Sequence, residues 1–439
     1  MGLGLSGRSA AHFCAQRGAE VCAVDEEVVP TGRFDDNSLG PGIEVRLGQP
    51  FPDPSAFDLV VPSPGVPPER YRKGARRVWG DIELAGRALA IPIIAVTGTN
   101  GKSTTVSLIE AMLEAAGLRA RAAGNLGTPA LTLAGQPLDV GVLEVSSFQL
   151  ETVESFRPAV AVVLNLSPDH LDRHGSFERY AAAKRRLLEH QGASDVAVLN
   201  NDDPVVKSFA AGAGAQILPF SRFGPPAETA GKRSAWLDVG CAVLAQGSRS
   251  MRLALDGSGA LGAADQDNIL AALATVWAFG VDPARAVTAL AGFQPLPHRM
   301  EQVALIDGVN FVNDSKATNP GAALRALEGT RAPTLWIAGG RDKGLSYRSL
   351  ADAATGRVRT ALLIGEAADQ LESCLAGQVP CERLPNLDEA VRRAAELAGA
   401  GDVVLLAPAC SSFDQFENFE ARGECFRRAV QLLAEGMKA

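Results

Sequence analysis

Lys102 and Ser103 stand in the segment IIAVTGTNGKSTTVSLIEAML, residues 93–113, where a strand-like run meets a glycine turn and then a helical pattern. Such a junction makes an anion site, because the N–H groups of the turn converge and the helix N-terminus adds partial positive charge. The lysine would reach the β- and γ-phosphates of a nucleotide, and the Ser103 hydroxyl would ligate Mg²⁺. The segment departs from G-x-x-x-x-G-K-[ST], since Val96 occupies the place of the first glycine. Gly98 and Gly101 still supply backbone freedom.

Glu144, in VLEVSSFQLE, and His170, in LNLSPDHLDRHGS, each follow an apolar strand-like run. Ligands of open α/β sheets bind at that edge, so a carboxylate and an imidazole there suit a divalent cation beside phosphates. Taken singly, Glu144 also reads as a helix-capping acid and His170 as a surface loop residue. Lys184, in YAAAKRRLLEH, reads locally as a solvated helix lysine no different from Arg185 or Arg186.

A second polar cluster, Asp314, Lys316, Thr318 and Asn319 in FVNDSKATNPGAALRAL, also lies between strand and helix. Two loops are similar: AGGRDKGLSY with Lys343, and APACSSFDQFENFEARG with Ser411, Ser412 and Phe419. Ligand contact competes there with helix capping by the serines. At the start, MGLGLSG gives Gly2, Gly4 and Gly7 the G-x-G-x-x-G spacing, followed by a helical stretch and the strand AEVCAVDE. That is the pattern of a dinucleotide phosphate turn with Asp25 as ribose-binding acid. No strand-like run precedes the turn, so the first strand of such a domain is expected to be missing.

The elements that must position these residues alternate in α/β rhythm. Runs such as IPIIAVTG, DVGVLEVSS, AVAVVLNLS, APTLWIAGG and GDVVLLAPA are continuously apolar, as strands buried on both faces of parallel sheets are. Helical patterns lie between them, with Gly117 and Gly399 as expected C-caps. The fold expected is α/β with three domains. They are a Rossmann-like N-terminal domain (1–80), a central P-loop-type ATPase domain with a mostly parallel sheet (81–295), and a Rossmann-like C-terminal domain (296–439). The boundaries rest on RRVWGDIELAGRALAIP and on the proline-bearing AGFQPLPHRMEQ.

Composition limits the alternatives. The 439 residues carry a formal net charge of -8, against a nucleic-acid-coating role. No apolar run approaches the ~20 residues of a membrane span, and no secretory signal is evident. Seven cysteines without CxxC pairs read as reduced, buried thiols of a cytoplasmic protein.

Taken in order, GTNGKST, EVSSFQLE, NLSPDHLDRHGSFERYAAAK, DNILAALA, LPHRMEQV, NDSKATNPGA and PACSSFDQFENFEARG resemble the Mur ligases, and among them the D-glutamate-adding branch. The family's loop is G-T-N-G-K-[ST], so the resemblance makes Val96 ordinary. It implies transfer of the ATP γ-phosphoryl to the L-alanyl carboxylate of UDP-N-acetylmuramoyl-L-alanine, then attack on the acyl phosphate by the amine of D-glutamate. Two anions at ~4 Å repel by ~4 kcal/mol even at an effective dielectric of 20, so cations must screen the approach.

By the same resemblance, Gly98, Thr99, Asn100, Gly101, Lys102, Ser103 and Thr104 cradle ATP, with Asn268, Arg299 and Asp314 as further nucleotide contacts. Ser103, Glu144, His170 and Lys184 hold Mg²⁺, Lys184 as a carbamate; Lys102, His170 and Lys184 form the catalytic set. Leu5, Ser6, Asp25, Ser63, Pro64, Gly65, Asn125 and His170 face the UDP-muramoyl substrate. Lys316, Thr318, Lys343, Ser412 and Phe419 face D-glutamate. A cytoplasmic monomer without nucleic-acid partners is expected. Glu26 and Glu27 depart from the expected uridine pocket, where a basic residue would suit better. The rival readings are a folylpolyglutamate-synthase-like ligase, a nicotinamide-dependent dehydrogenase suggested by GLGLSG, and a non-catalytic nucleotide sensor. NDSKATN opposes the first, the absent first strand the second, and intact Lys102, Glu144, His170 and Lys184 the third.

Overall fold

A computed structural model describes residues 1–28, 39, 42–226, 232–255 and 265–436. They group into two compact units, the main division falling between Phe293 and Gln294, with Ser167–Asp172 grouped in the second unit.

The first unit is built on a nine-stranded sheet. From one edge it runs Ala120–Gly124, Val140–Glu144, Ile93–Thr97, Val160–Val163, Val196–Asn200, Gln216–Ser221 and Arg233–Asp238, all parallel neighbours. Two antiparallel strands, Cys241–Gln246 and Arg249–Ala254, close the other edge. Ile93–Thr97 sits inside this sheet with every residue buried, which is why its sequence is unbroken apolar rather than alternating. The chain leaves it on one side for the next two strands and returns on the other, so its C-terminal end is a topological switch point, where α/β sheets bind ligands.

A small parallel sheet pairs Val21–Asp25 with Ile43–Leu47 beside the helix Leu5–Ala15. No strand is assigned before that helix, yet Gly2 donates to the Val24 carbonyl and Ser63 to that of Met1, so residues 1–3 run between two extended segments. The glycine turn is sterically required: a Cβ on Gly7 would stand 1.8 Å from the Gly2 carbonyl oxygen.

The second unit carries a six-stranded sheet in the order Glu301–Ile306, Val309–Asn313, Val403–Leu406, Thr334–Gly339, Val358–Ile364, Cys381–Arg383. Its first pair is an antiparallel hairpin and the rest are parallel. The hairpin turns on Asp307 and Gly308, both at positive φ, the geometry an Asp-Gly loop favours. In the sequence ALIDGVNFVND the Asp-Gly pair between two apolar runs carries this signal.

Gly117 ends its helix at positive φ, with Gly117 and Leu118 donating back to Glu114 and Leu113 as in a Schellman cap. Gly399 does not act that way: its N–H goes to the Asp402 carboxylate. All seven cysteines are free thiols, but only Cys410 is buried; the other six are half-buried. Among the described residues no helix is long and apolar enough to cross a membrane.

The fully buried Glu83 fastens the helix Asp81–Ala88 to the segment after the helix Ser147–Leu150. It accepts from the amides of Glu154, Ser155 and Phe156, from the Ser155 hydroxyl and from Arg87. Burial alone would raise its carboxyl, but these donors outweigh it and hold Glu83 below the ordinary glutamate value. A depressed carboxyl stabilises the fold above the unfolded-state value near 4.5, and that contribution is lost as pH falls through the folded value. Glu83→Gln is expected to cost roughly 2–3 kcal/mol at neutral pH by leaving buried amides poorly matched. It should also flatten the acid limb of the stability curve, read by urea melts between pH 3 and 7.

Candidate functional site

The phosphate loop joins the strand Ile93–Thr97 to the helix Lys102–Ala115. Gly98 and Gly101 take φ of +154° and +84°, and a Cβ on Gly101 would meet Asn268 Oδ1 at 2.3 Å. Asn268 therefore lies against the loop, where it also accepts from Thr105 Oγ1 at 3.3 Å. Lys102 Nζ donates to the carbonyls of Gly98 and Thr99, both at 2.8 Å, curling over its own turn. Ser103 and Thr104 are buried at the first turn of the helix.

Asn165, which the sequence reading did not single out, braces this loop. Its backbone carbonyl accepts from Thr99 N, its Oδ1 from Asn100 N, and its Nδ2 donates to the Asn100 carbonyl. An asparagine side chain can meet a peptide unit with both donor and acceptor, as an added strand would.

Glu144 ends the strand Val140–Glu144, buried, in register with Val96 and accepting from Asn125 Nδ2 at 2.7 Å. Asn125 and Glu144 are thus brought together. Lys184 is only 2% exposed, unlike exposed Arg185 beside it. Its Nζ donates to Thr97 Oγ1 at 3.3 Å and lies 4.9 Å from the centre of the Tyr180 ring. Thr97 Oγ1 in turn donates to the Val145 carbonyl, one residue past Glu144. The solvated-helix reading of Lys184 is therefore wrong; the helix period turns it inward with Tyr180, Ala181 and Ala183, while Arg185 faces out.

The donors offered here, a serine hydroxyl and a carboxylate, are hard oxygen ligands of the kind Mg²⁺ takes. A protonated Lys184 is no ligand, whereas its carbamate would add further oxygens. Among the described residues no group of three or more His, Cys, Asp and Glu gathers, so any cation here must draw on hydroxyl, carbamate or phosphate oxygens as well.

At the amino-terminal turn, Asp25 accepts from Leu3 N and Glu27 N. Ser6 donates its hydroxyl to buried Asp81, and Leu5 is 57% exposed. Ser63 Oγ donates to the Gly2 carbonyl, with Pro64 and Gly65 following. Arg70 pairs with Glu26, so the basic charge missing after Asp25 arrives from a distant segment.

In the second unit, the residues between 313 and 319, between 340 and 343 and between 410 and 419 leave sheet strands at one end. Lys316 Nζ stands 3.7 Å over the Phe419 ring, and Thr318 donates its amide to the Lys316 carbonyl. Lys343 Nζ donates to Asp169 Oδ1 at 3.1 Å, and Asn319 Nδ2 to Asp169 Oδ2 at 3.1 Å. Asp169 also receives the amide of His170, whose φ is +54°. Loss of hydration alone would raise the Asp169 carboxyl; Lys343 and His170 hold it below the ordinary value. Desolvation pushes Asp314 up to about 6 against the amide of Met300 and the charge of Arg299. Ser412 is buried, its carbonyl accepting from Gln415 and Phe416.

Three residues here escaped the sequence reading: Asp169, His298 and Arg422. His298 is held by Asn313 Nδ2 at 3.0 Å and faces the edge of Phe419. Arg422 is 1% exposed and donates to Ser315 Oγ and to the carbonyls of Ser315, Cys410 and Ser411. One guanidinium thus fixes the backbone next to Lys316 and next to Ser412. The signal available was the arginine on the first turns of the helix Phe419–Gly436, whose apolar face has no room for a charge unless carbonyls meet it.

A glycine loop between strand and helix, close to a buried lysine and a buried carboxylate at the ends of an α/β sheet, has the geometry of a nucleotide-phosphate site. Residues 96–276 match the Mur ligase middle domain, and residues 298–410 match the Mur ligase glutamate ligase domain. The chain belongs to the Mur ligase family. It is 40% identical, over 99% of its length and 97% of the relative's, to the UDP-N-acetylmuramoylalanine–D-glutamate ligase of Pelotomaculum thermopropionicum. In fold it is similar to a pseudomurein peptide ligase type C from Methanothermus fervidus (TM-score 0.62, 17% identity, 98% of each chain). It is similar also to the MurF ligase of Thermotoga maritima in complex with ADP (TM-score 0.59, 19% identity, 87% of this chain and 99% of that one).

Arg422→Met should leave buried carbonyls unmet, at about 1–3 kcal/mol for each group stranded. Hydrogen exchange is expected to speed up together in 313–319 and 410–412 while residues 97–104 keep their protection. Unchanged exchange in the first two segments would refute the brace.

Proposed function

We propose that this chain ligates D-glutamate to UDP-N-acetylmuramoyl-L-alanine at the expense of ATP, in peptidoglycan precursor synthesis. The observation that carries this reading is the burial of Lys184 against the end of the strand Ile93–Thr97, beside the phosphate loop, in a chain 40% identical to a ligase of that name. Residues 1–80 are assigned to the uridine-diphosphate substrate, 81–295 to ATP, and 296–439 to D-glutamate.

A carboxylate is a poor acyl donor because oxide would have to leave. The γ-phosphoryl of ATP passes to the L-alanyl carboxylate, and ADP leaves. The D-glutamate amine then attacks the carbonyl carbon, and phosphate leaves as the amide forms. Lys102 neutralises the phosphates from the helix N-terminus, where N–H groups already point at the anion. Ser103, Glu144, His170 and carbamylated Lys184 would hold Mg²⁺, which screens charge between the two anions when bound. Asn125 hydrogen-bonds Glu144 and would orient both that carboxylate and the muramoyl group. Lys316, Thr318, Lys343, Ser412 and Phe419 would receive D-glutamate, whose carboxylates suit the two lysines. Asn268, Arg299 and Asp314 would hold the nucleoside. We assign the protein to the cytoplasm and to a monomer.

Phosphate release is expected only when UDP-N-acetylmuramoyl-L-alanine, D-glutamate, ATP and Mg²⁺ are all present. Equal turnover with a folate and L-glutamate would overturn the assignment. Lys184→Ala should be nearly inactive and partly restored by short carboxylates, which can take the place of the carbamate; full activity in that variant would end the carbamate reading. If ionised Asp314 is the form that binds ribose, the KM for ATP should rise as pH falls through about 6. Asp314→Asn should be weak at every pH and lose that inflection.

A further inference from the structure

A cavity of ≈ 690 Å³ opens on the first unit along the helix Phe177–Arg185. Arg72, Arg173, Arg179, Arg185 and Arg186 line it, against Glu69, Glu151 and Glu189. Five positive charges less three negative leave an excess of two, on a chain whose formal net charge is -8. None of the residues assigned above to ATP, the UDP-muramoyl group or D-glutamate lines this space.

The hydrogen bonds already made there spend little of the charge. Arg186 donates to the carbonyls of Leu150, Glu151 and Val153, Arg72 to that of Glu151, and Arg185 to that of Ala211. Carbonyls satisfy N–H groups but do not neutralise a guanidinium. Arg173 alone has a tight carboxylate partner, Glu151 at 2.8 Å, both side chains 12% exposed. The Arg186–Glu189 pair at 3.3 Å is open to solvent and screened. Arg179 has no carboxylate partner among the described residues. Ala183, Leu188 and Phe209 supply apolar wall, and the size is that of a small-molecule site.

We propose that this cavity binds a small polyanion bearing phosphate groups, at a site separate from the reaction centre. Arginine forks suit phosphate oxygens, and several converging guanidinium groups favour a ligand with more than one such group. The site is wired to the phosphate loop. Glu151 Oε1 lies 3.4 Å from His174 Nδ1, the His174 ring meets Tyr180 edge-on at 5.3 Å, and the Tyr180 hydroxyl bonds Thr99 Oγ1 at 3.0 Å. An anion that draws Arg173 away from Glu151 therefore perturbs contacts that end on the loop.

The test is calorimetric titration of the whole chain with tripolyphosphate, free of added metal and with ADP and UDP saturating so that the reaction centre is filled. One binding event per chain is expected, weakened at least about tenfold in Arg179→Glu/Arg185→Glu, since two charge-assisted contacts reverse sign. Both residues are exposed, so melting should be unchanged. Absence of binding to the wild type, or equal binding to the double variant, overturns the site. Citrate in place of tripolyphosphate distinguishes a carboxylate ligand: equal affinity would overturn the phosphate assignment. Hydrogen exchange in 98–102 should change on binding in the wild type only; no change would overturn the coupling.

Discussion

The side chain of Thr97 holds the first unit's chemistry together. Its hydroxyl donates to the Val145 carbonyl and accepts from Lys184 Nζ, so one group ties the strand Ile93–Thr97 to the strand of Glu144 and to the helix of Lys184. A hydroxyl can do both because it carries one donor and two acceptor sites. The burial of all three side chains makes the arrangement stiff, since water cannot substitute for any partner. Lys102 and Ser103 follow within six residues on the same strand-to-helix path, so their positions inherit that stiffness.

The second unit meets a different constraint with an analogous device. Its loops make scattered turn hydrogen bonds, such as Thr318 to Lys316 and Phe416 to Ser412, which do not by themselves fix the backbone beside Lys316 and Ser412. Arg422 fixes it instead, from a helix that is itself packed on the sheet. Asp169 plays a matching part for Lys343 and Asn319, receiving both while its charge offsets the lysine's. Each is a charge that holds other residues in place.

This difference decides what the sequence could disclose. Strands such as Ile93–Thr97 and Val403–Leu406 were legible because double-sided burial writes itself as an unbroken apolar run. The loop glycines were legible because positive φ demands them. Lys184, Asp169 and Arg422 were not legible from their neighbourhoods, since each matters through partners 87, 174 and 107 positions away. The resemblance supplied Lys184 but left the other two unremarked. The hairpin at Asp307 and Gly308, by contrast, is written locally, as an Asp-Gly pair between two apolar runs.

Val96 shows how the local and distant constraints meet. In the longer loop pattern that position is a glycine already outside the strand. Here Val96 is wholly buried, in register with Glu144 and Val162, and its carbonyl accepts from Val145 N. Strand pairing thus persists one residue further, to Thr97, and brings the Thr97 hydroxyl to the point where Lys184 and the Val145 carbonyl can both reach it. A glycine at 96 would forfeit buried side-chain contacts and loosen the strand end. The shorter loop needs outside support for its amides, and Asn165 gives it on Thr99 and Asn100. The departure from the longer pattern is therefore a condition of the site: the loop is shortened so that the strand can extend far enough to anchor the buried lysine.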